Sequence, residues 1–335
     1  MKRYILLMVA LVLVLGALTA CQPVQPVQAQ AAPTLATAKA FVQNSNLPGH
    51  VLISARGNHF LIGSAPPLGH PALEINPVET MLGALATCGI FVYEAAAQEQ
   101  GIPLTVISAV VQADWDVNGL KGEPVSPHMQ AIRAHLALEG PDTDQAAFLL
   151  EEWTSRCPIY TTLVRAAPIE VTVNDEAMGG PVAEGLAMSA VTATLTNQPG
   201  RAIVNVRDDY MVVDSVPPLG SPSEETNPLD MFLGALGSCA MLLAENVAEA
   251  DGLPLIDAAT TVEGDLDVRG VRGEEGISPH IQAMRIHWLI AGVDEAQAGA
   301  MVDAWVARCP IYNTYIRATD ITITHELVEG PIAMP

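Results

Sequence analysis

The chain has 335 residues, half of them of hydrophobic type, which is enough for two domains that each bury a core. Lys and Arg total 15 against 37 Asp and Glu, a formal charge of −22, which would become about −24 if Lys2 and Arg3 left with a leader. Such a surface repels phosphate backbones and excludes nucleic acid as an expected partner. Because the acids are spread along the chain, the field suits solubility more than recognition.

The first residues, Met1-Lys2-Arg3, are basic, and an apolar run from Tyr4 to Ala20 follows, broken only by Gly16 and Thr19. Residues 1–20 therefore read as a signal peptide. Leu18-Thr19-Ala20-Cys21 resembles a bacterial lipobox, so Cys21 is expected to carry lipid and hold the protein on the cell membrane, facing outside the cytoplasm. The alternative is a transmembrane anchor, for which the run is short. Residues 21–36, rich in Gln, Pro and Ala and without charge, form the expected flexible tether.

The rest of the chain is a tandem repeat. Asn76-Pro77-Val78-Glu79 through Leu82-Gly83-Ala84-Leu85 to Cys88 recurs 151 residues later as Asn227-Pro228-Leu229-Asp230 through Leu233-Gly234-Ala235-Leu236 to Cys239. Arg56 recurs as Arg207 and Pro66-Pro67-Leu68-Gly69 as Pro217-Pro218-Leu219-Gly220. After one inserted residue near Glu275-Gly276, Arg156-Cys157-Pro158-Ile159-Tyr160 recurs as Arg308-Cys309-Pro310-Ile311-Tyr312, now offset by 152. So long a period makes each copy a domain rather than a solenoid unit. The copies span 37–173 and 188–326, separated by a linker at 174–187 rich in Gly, Pro and acids and followed by a tail at 327–335.

Within one copy, Leu52 to Ile62 alternates short apolar runs with turn residues and predicts a strand meander. Asn76 is placed to cap a helix with Pro77 at its first position, and Gly101 closes it. That helix is apolar nearly all round, as a buried core helix is. Strands follow at 106–117 and 132–138, then a helix at about 144–156 capped by Asp142 or Asp144, a short helix after Cys157-Pro158, and an edge strand at 169–173. This order is α+β.

With Cys21 assigned to lipid, two cysteines remain in each copy. A structural disulfide is the plain reading for an exported protein. Yet Cys88 falls inside an apolar helix, and Cys157 precedes Pro158 at a helix start, where the dipole and neighbouring Arg156 would lower a thiol pKa. A buried Cys88 needs a cation to ionise, which Arg56 could supply, unless that residue is a solvated strand arginine. His128 and His280 follow Ser-Pro in both copies, and His135 and His287 also recur, but no close Cys or His spacing suggests a metal site. Trp153 and Trp305 read as core.

Taken together, Asn-Pro leading a Leu-Gly-Ala-Leu helix to Cys, with Arg-Cys-Pro-Ile-Tyr about 70 residues on, resembles the osmotically inducible protein C and organic hydroperoxide resistance (OsmC/Ohr) family. The resemblance implies two domains, each with an antiparallel sheet wrapped on a long central helix. It implies a thiol peroxidase for organic hydroperoxides, with Cys88 and Cys239 peroxidatic, Cys157 and Cys309 resolving, Arg56 and Arg207 activating, and a dithiol reductant. No cofactor is implied. Hydroperoxide resistance members carry Glu directly after Asn-Pro to hold the arginine; here that place is Val78 and Leu229, with Glu79 and Asp230 one step along. Either those acids play another part or the arginine clamp is lost. Family members form interlocked homodimers, so the fused copies are expected to make a monomer with internal pseudo-twofold symmetry. The alternative is a non-catalytic module whose disulfides are structural or whose fold serves binding.

Overall fold

The computed structural model describes residues 35–70, 73–175, 179–220 and 223–334. The expected leader, Cys21 and most of the tether lie outside the described residues, as do positions 176–178 of the linker.

The first repeat begins with strands β1 (Leu35–Asn44), β2 (His50–Ala55) and β3 (Asn58–Gly63). Helix α1 (Pro77–Gln100) leads to β4 (Val106–Trp115), the short α2 (Val117–Leu120) and β5 (Met129–Glu139). Helices α3 (Thr143–Arg156) and α4 (Pro158–Leu163) and strand β6 (Ile169–Val173) complete it. The second repeat runs β7 (Ala187–Leu195), β8 (Arg201–Val206), β9 (Asp209–Asp214), α5 (Pro228–Asp251), β10 (Asp257–Asp267), α6 (Val268–Val271), β11 (Ala283–Ala291), α7 (Glu295–Arg308), α8 (Pro310–Tyr315) and β12 (Asp320–Val328). Strand β1 starts two residues inside the stretch read as tether, because Leu35 and Ala36 pair with Leu266 and Asp267 of β10.

The repeats interlock. One six-stranded sheet has the order β12-β11-β10-β1-β2-β3 and the other β6-β5-β4-β7-β8-β9, so each takes three strands from each repeat. The joins are antiparallel, between β1 and β10 and between β4 and β7, with Ala40 opposite Val262 and Val111 opposite Val191. Only β5–β6 and β11–β12 run parallel, each reached through a helical crossover. The duplicated unit of sequence is thus not the unit of packing, and the described residues form one compact unit.

Helices α1 and α5 lie against each other between the sheets, α1 on β4, β7 and β8 and α5 on β1, β10 and β2. This explains why their sequences lack a polar face: 20 of the 24 residues of α1 are buried. Their ends follow the chemistry read from the sequence. Asn76 and Asn227 cap the helices in capping boxes with Glu79 and Asp230, Pro77 and Pro228 follow, and Gly101 and Gly252 terminate them in the left-handed conformation. Close packing fixes one glycine: a Cβ on Gly237 would stand 2.6 Å from Val42 Cγ2, so its absence lets α5 seat on β1.

Candidate active site

Cys88 sits midway along α1, and Cys157 is at once the last cap of α3 and the first cap of α4. The extended backbone of Cys157 and the proline after it turn the chain sharply, directing the sulfur back towards the helix amides, and the Tyr160 N–H donates to Sγ at 3.3 Å. The two cysteines form a disulfide with Cα atoms 6.0 Å apart, and Cys239 and Cys309 form its equivalent at 6.3 Å. Cys88 and Cys239 each retain 5% exposure, whereas Cys157 and Cys309 have none. Trp153 and Trp305 are core residues, as read from the sequence, and pack at a tilt against Tyr160 and Tyr312 with ring centroids 5.4 and 4.8 Å apart.

The arginine clamp is retained, and it crosses between repeats. Arg207 Nη1 donates to Glu79 Oε1, and its Nη2 donates to the Glu74 carbonyl at 2.6 Å. Arg56 donates to Asp230 Oδ2 through Nε at 3.1 Å and Nη2 at 2.6 Å, and to the Glu225 carbonyl. Neither arginine lies within a strand. Each occupies the tip of a two-residue hairpin, with φ of 52° at Arg56 and 56° at Arg207, a left-handed backbone that a non-glycine residue adopts at a cost.

The displacement of the acid by one residue has a local cause. At the third helical position Glu79 places Oε2 on the Asn76 amide at 2.9 Å, closing the capping box, and leaves Oε1 for Arg207. Asp230 closes the equivalent box but uses one oxygen for both duties, its Oδ2 accepting from the Asn227 amide at 3.0 Å and from Arg56. Burial raises the Glu79 pKa, outweighing the Asn76 amide and Arg207; burial likewise raises Asp230 against the pull of Arg56.

A narrow, almost wholly apolar cleft opens beside Cys239. Its walls are Leu242 and Pro310 from the second repeat with Ala65, Leu68, Asn76, Pro77, Val78, Trp115 and Leu120 from the first. The cap and first turn of α1, which carry Glu79, therefore border the cysteine of the other repeat. Arg207 of the second repeat meets that same first turn through Glu79, and Arg56 of the first repeat meets Asp230 at the equivalent turn of α5.

Arg156 does not serve Cys157 as expected. Its guanidinium turns away to Glu99, Glu152 and the Val271 carbonyl, tying α3 to α6 of the second repeat. Arg308 mirrors it on the Leu120 carbonyl and Asn246. His128 and His280 bond to Ser126 and Ser278, and His135 and His287 to Thr172 and Thr324. Among the described residues no three His, Cys, Asp or Glu converge as a metal site would require. Sequence reading missed Glu94 and Glu245, half-buried carboxylates on α1 and α5 that accept the Gly200 and Gly49 amides of the opposite repeat. Their pKa values are raised by burial, and their parallel positions, 151 residues apart, were the available signal.

The family model for OsmC-like proteins matches residues 69–172 and again 220–324, more than half of the chain. The chain belongs to the OsmC-like protein family. Solved structures to which it is similar each match about two fifths of this chain. An OsmC-like protein from Mycoplasma pneumoniae is 20% identical, with a TM-score of 0.36 over 41% of this chain and 95% of its own. An organic hydroperoxide resistance protein OsmC from Legionella pneumophila is 20% identical, with a TM-score of 0.33 over 40% of this chain and 94% of its own. A hypothetical protein from Aquifex aeolicus is 13% identical, with a TM-score of 0.34 over 42% and 95%. No curated protein matches the sequence.

Proposed function

We propose that this OsmC-like protein is a cysteine-based peroxidase that reduces organic, lipid-type hydroperoxides at the cell envelope, where Cys21 anchors it through lipid. The observation that carries this reading is the pairing, twice over, of a slightly exposed helix cysteine with a fully buried partner cysteine, at a site completed by a buried acid and its arginine. The thiolate of Cys88 or Cys239 attacks the peroxide O–O bond, one oxygen stays on sulfur as sulfenic acid, and the other leaves with a proton as the alcohol. The thiol of Cys157 or Cys309 then displaces water to give the disulfide, and an external dithiol takes up the bridge by exchange and leaves oxidised. The arginine supplies positive charge, and the carboxylate orients it.

A second reading, a scaffold with permanent disulfides, is favoured by the zero exposure of Cys157 and Cys309. Mass spectrometry of the reduced protein after one equivalent of cumene hydroperoxide separates the two. Rapid loss of thiols in step with peroxide consumption, reversed by a dithiol, supports the enzyme; bridges that resist dithiothreitol in the folded protein, or thiols inert to peroxide, support the scaffold.

A further inference from the structure

We propose that the two sites, read as peroxidase sites as above, accept hydroperoxides of different shape: Cys239 takes bulky ones, hindered at the carbon bearing the peroxide, and Cys88 takes small, unhindered ones. The repeats keep the reacting groups alike and differ in the wall around the sulfur. The side chain three residues after each cysteine shares its helix face. At Cys239 it is Leu242, a wall of the cleft; at the equivalent place beside Cys88 stands the larger Phe91, 1% exposed. The loop residue Ala65 over the Cys239 cleft is matched by Val216 at the other site. At these two positions the Cys239 site therefore carries the smaller side chains.

Farther out the difference reverses. Trp115 forms one wall of the Cys239 cleft, its indole N–H held by Ser189 Oγ at 3.1 Å, and Leu266 is its equivalent in the second repeat. A fixed flat indole in that wall offers its face to an aryl or extended unsaturated group. Phe91, larger than the Leu242 it replaces, would leave less room beside Cys88 for a tertiary peroxide carbon. A pocket difference of a few methylene groups discriminates about 10-fold or more.

The test uses the full chain with one pair removed, C88S/C157S or C239S/C309S, assayed with cumene hydroperoxide and hydrogen peroxide under dithiothreitol regeneration. The ratio of kcat/KM for cumene hydroperoxide to that for hydrogen peroxide should be about 10-fold or more higher when only Cys239 is present. In that background Leu242→Phe should lower the ratio, and Phe91→Leu should raise it in the other, so the result does not hang on one variant folding. Equal ratios in the two single-site chains, or ratios unmoved by both exchanges, overturn the inference while leaving the peroxidase reading intact. Failure of both single-site chains to react with either peroxide overturns both.

Discussion

Arg207, at a hairpin tip of the second repeat, ends on Glu79, at the first turn of the long helix of the first. The acid is shared between a local duty and a distant one, since its other oxygen caps its own helix. Removing it therefore costs the helix start and the orientation of an arginine in the opposite repeat together.

This arrangement predicts a crossed effect. Glu79→Ala should slow peroxide oxidation of Cys239, not of Cys88, and Asp230→Ala the reverse, by about 10²-fold if the arginine acts as a positioned charge donor. Site-resolved alkylation and mass spectrometry after a brief peroxide pulse read the two pairs separately. Equal slowing of both, or slowing within the same repeat, would contradict the assignment.

The acid limb of the pH–rate profile should lie above the ordinary carboxylate range, because burial raises both Glu79 and Asp230. The stability effect has the opposite sense. A carboxyl whose folded pKa is raised binds its proton more tightly in the folded chain, so its contribution favours folding in acid and declines as pH rises towards the folded value. Glu79→Gln should accordingly leave the urea midpoint at pH 8 unchanged or higher while slowing oxidation. Asp214 behaves differently: burial alone would raise it, but Arg201 and the Glu224 and Glu225 amides hold it below the usual range. Its stabilisation is present above the ordinary pKa and lost only as pH falls through that depressed value, so Asp214→Asn should lower the midpoint at pH 8.

Each disulfide closes a loop with a sequence separation of 69 or 70. On a chain-entropy model each would contribute about 4 kcal/mol. Reduction should thus lower Tm markedly without unfolding a chain whose core is otherwise intact, and calorimetry with and without a phosphine reductant measures the difference. A reduced protein that is unfolded at 25 °C would show the bridges to be required by the fold and would exclude cycling.

Gly237→Ala should destabilise the protein by about 1–3 kcal/mol, since the added methyl overpacks against Val42 and Thr260 by more than the helix preference for alanine returns. Ala86, its equivalent in the first repeat, shows that the opposite helix tolerates a methyl there. Denaturant titration of Gly237→Ala beside Ala86→Gly measures both.

Much of the site was legible because its signals are local. Capping residues and the proline after Cys157 act within a few positions, and the structure keeps the cap roles they suggest, whereas Arg56, read as a strand residue, stands at a hairpin tip. What could not be read was which strand meets which. Nothing in Leu35–Asn44, part of which read as tether, says that its partner is Asp257–Asp267, over 200 residues away. The acid offset was ambiguous for the same reason. Whether Glu79 meets an arginine depends on a hairpin from the other repeat, and an α-helical rotation of about 100° per residue, argued within one repeat, does not include that hairpin.

The exchange of strands also sets an order of assembly. The sheet β6-β5-β4-β7-β8-β9 is drawn from one continuous stretch, Val106 to Asp214, whereas its counterpart joins the beginning of the chain to its end. A ribosome or a translocation channel delivering the polypeptide from its N-terminus would release β1 long before β10 exists to pair with it. Until then the opening meander presents a bare edge, and the middle of the molecule is the part able to fold without waiting.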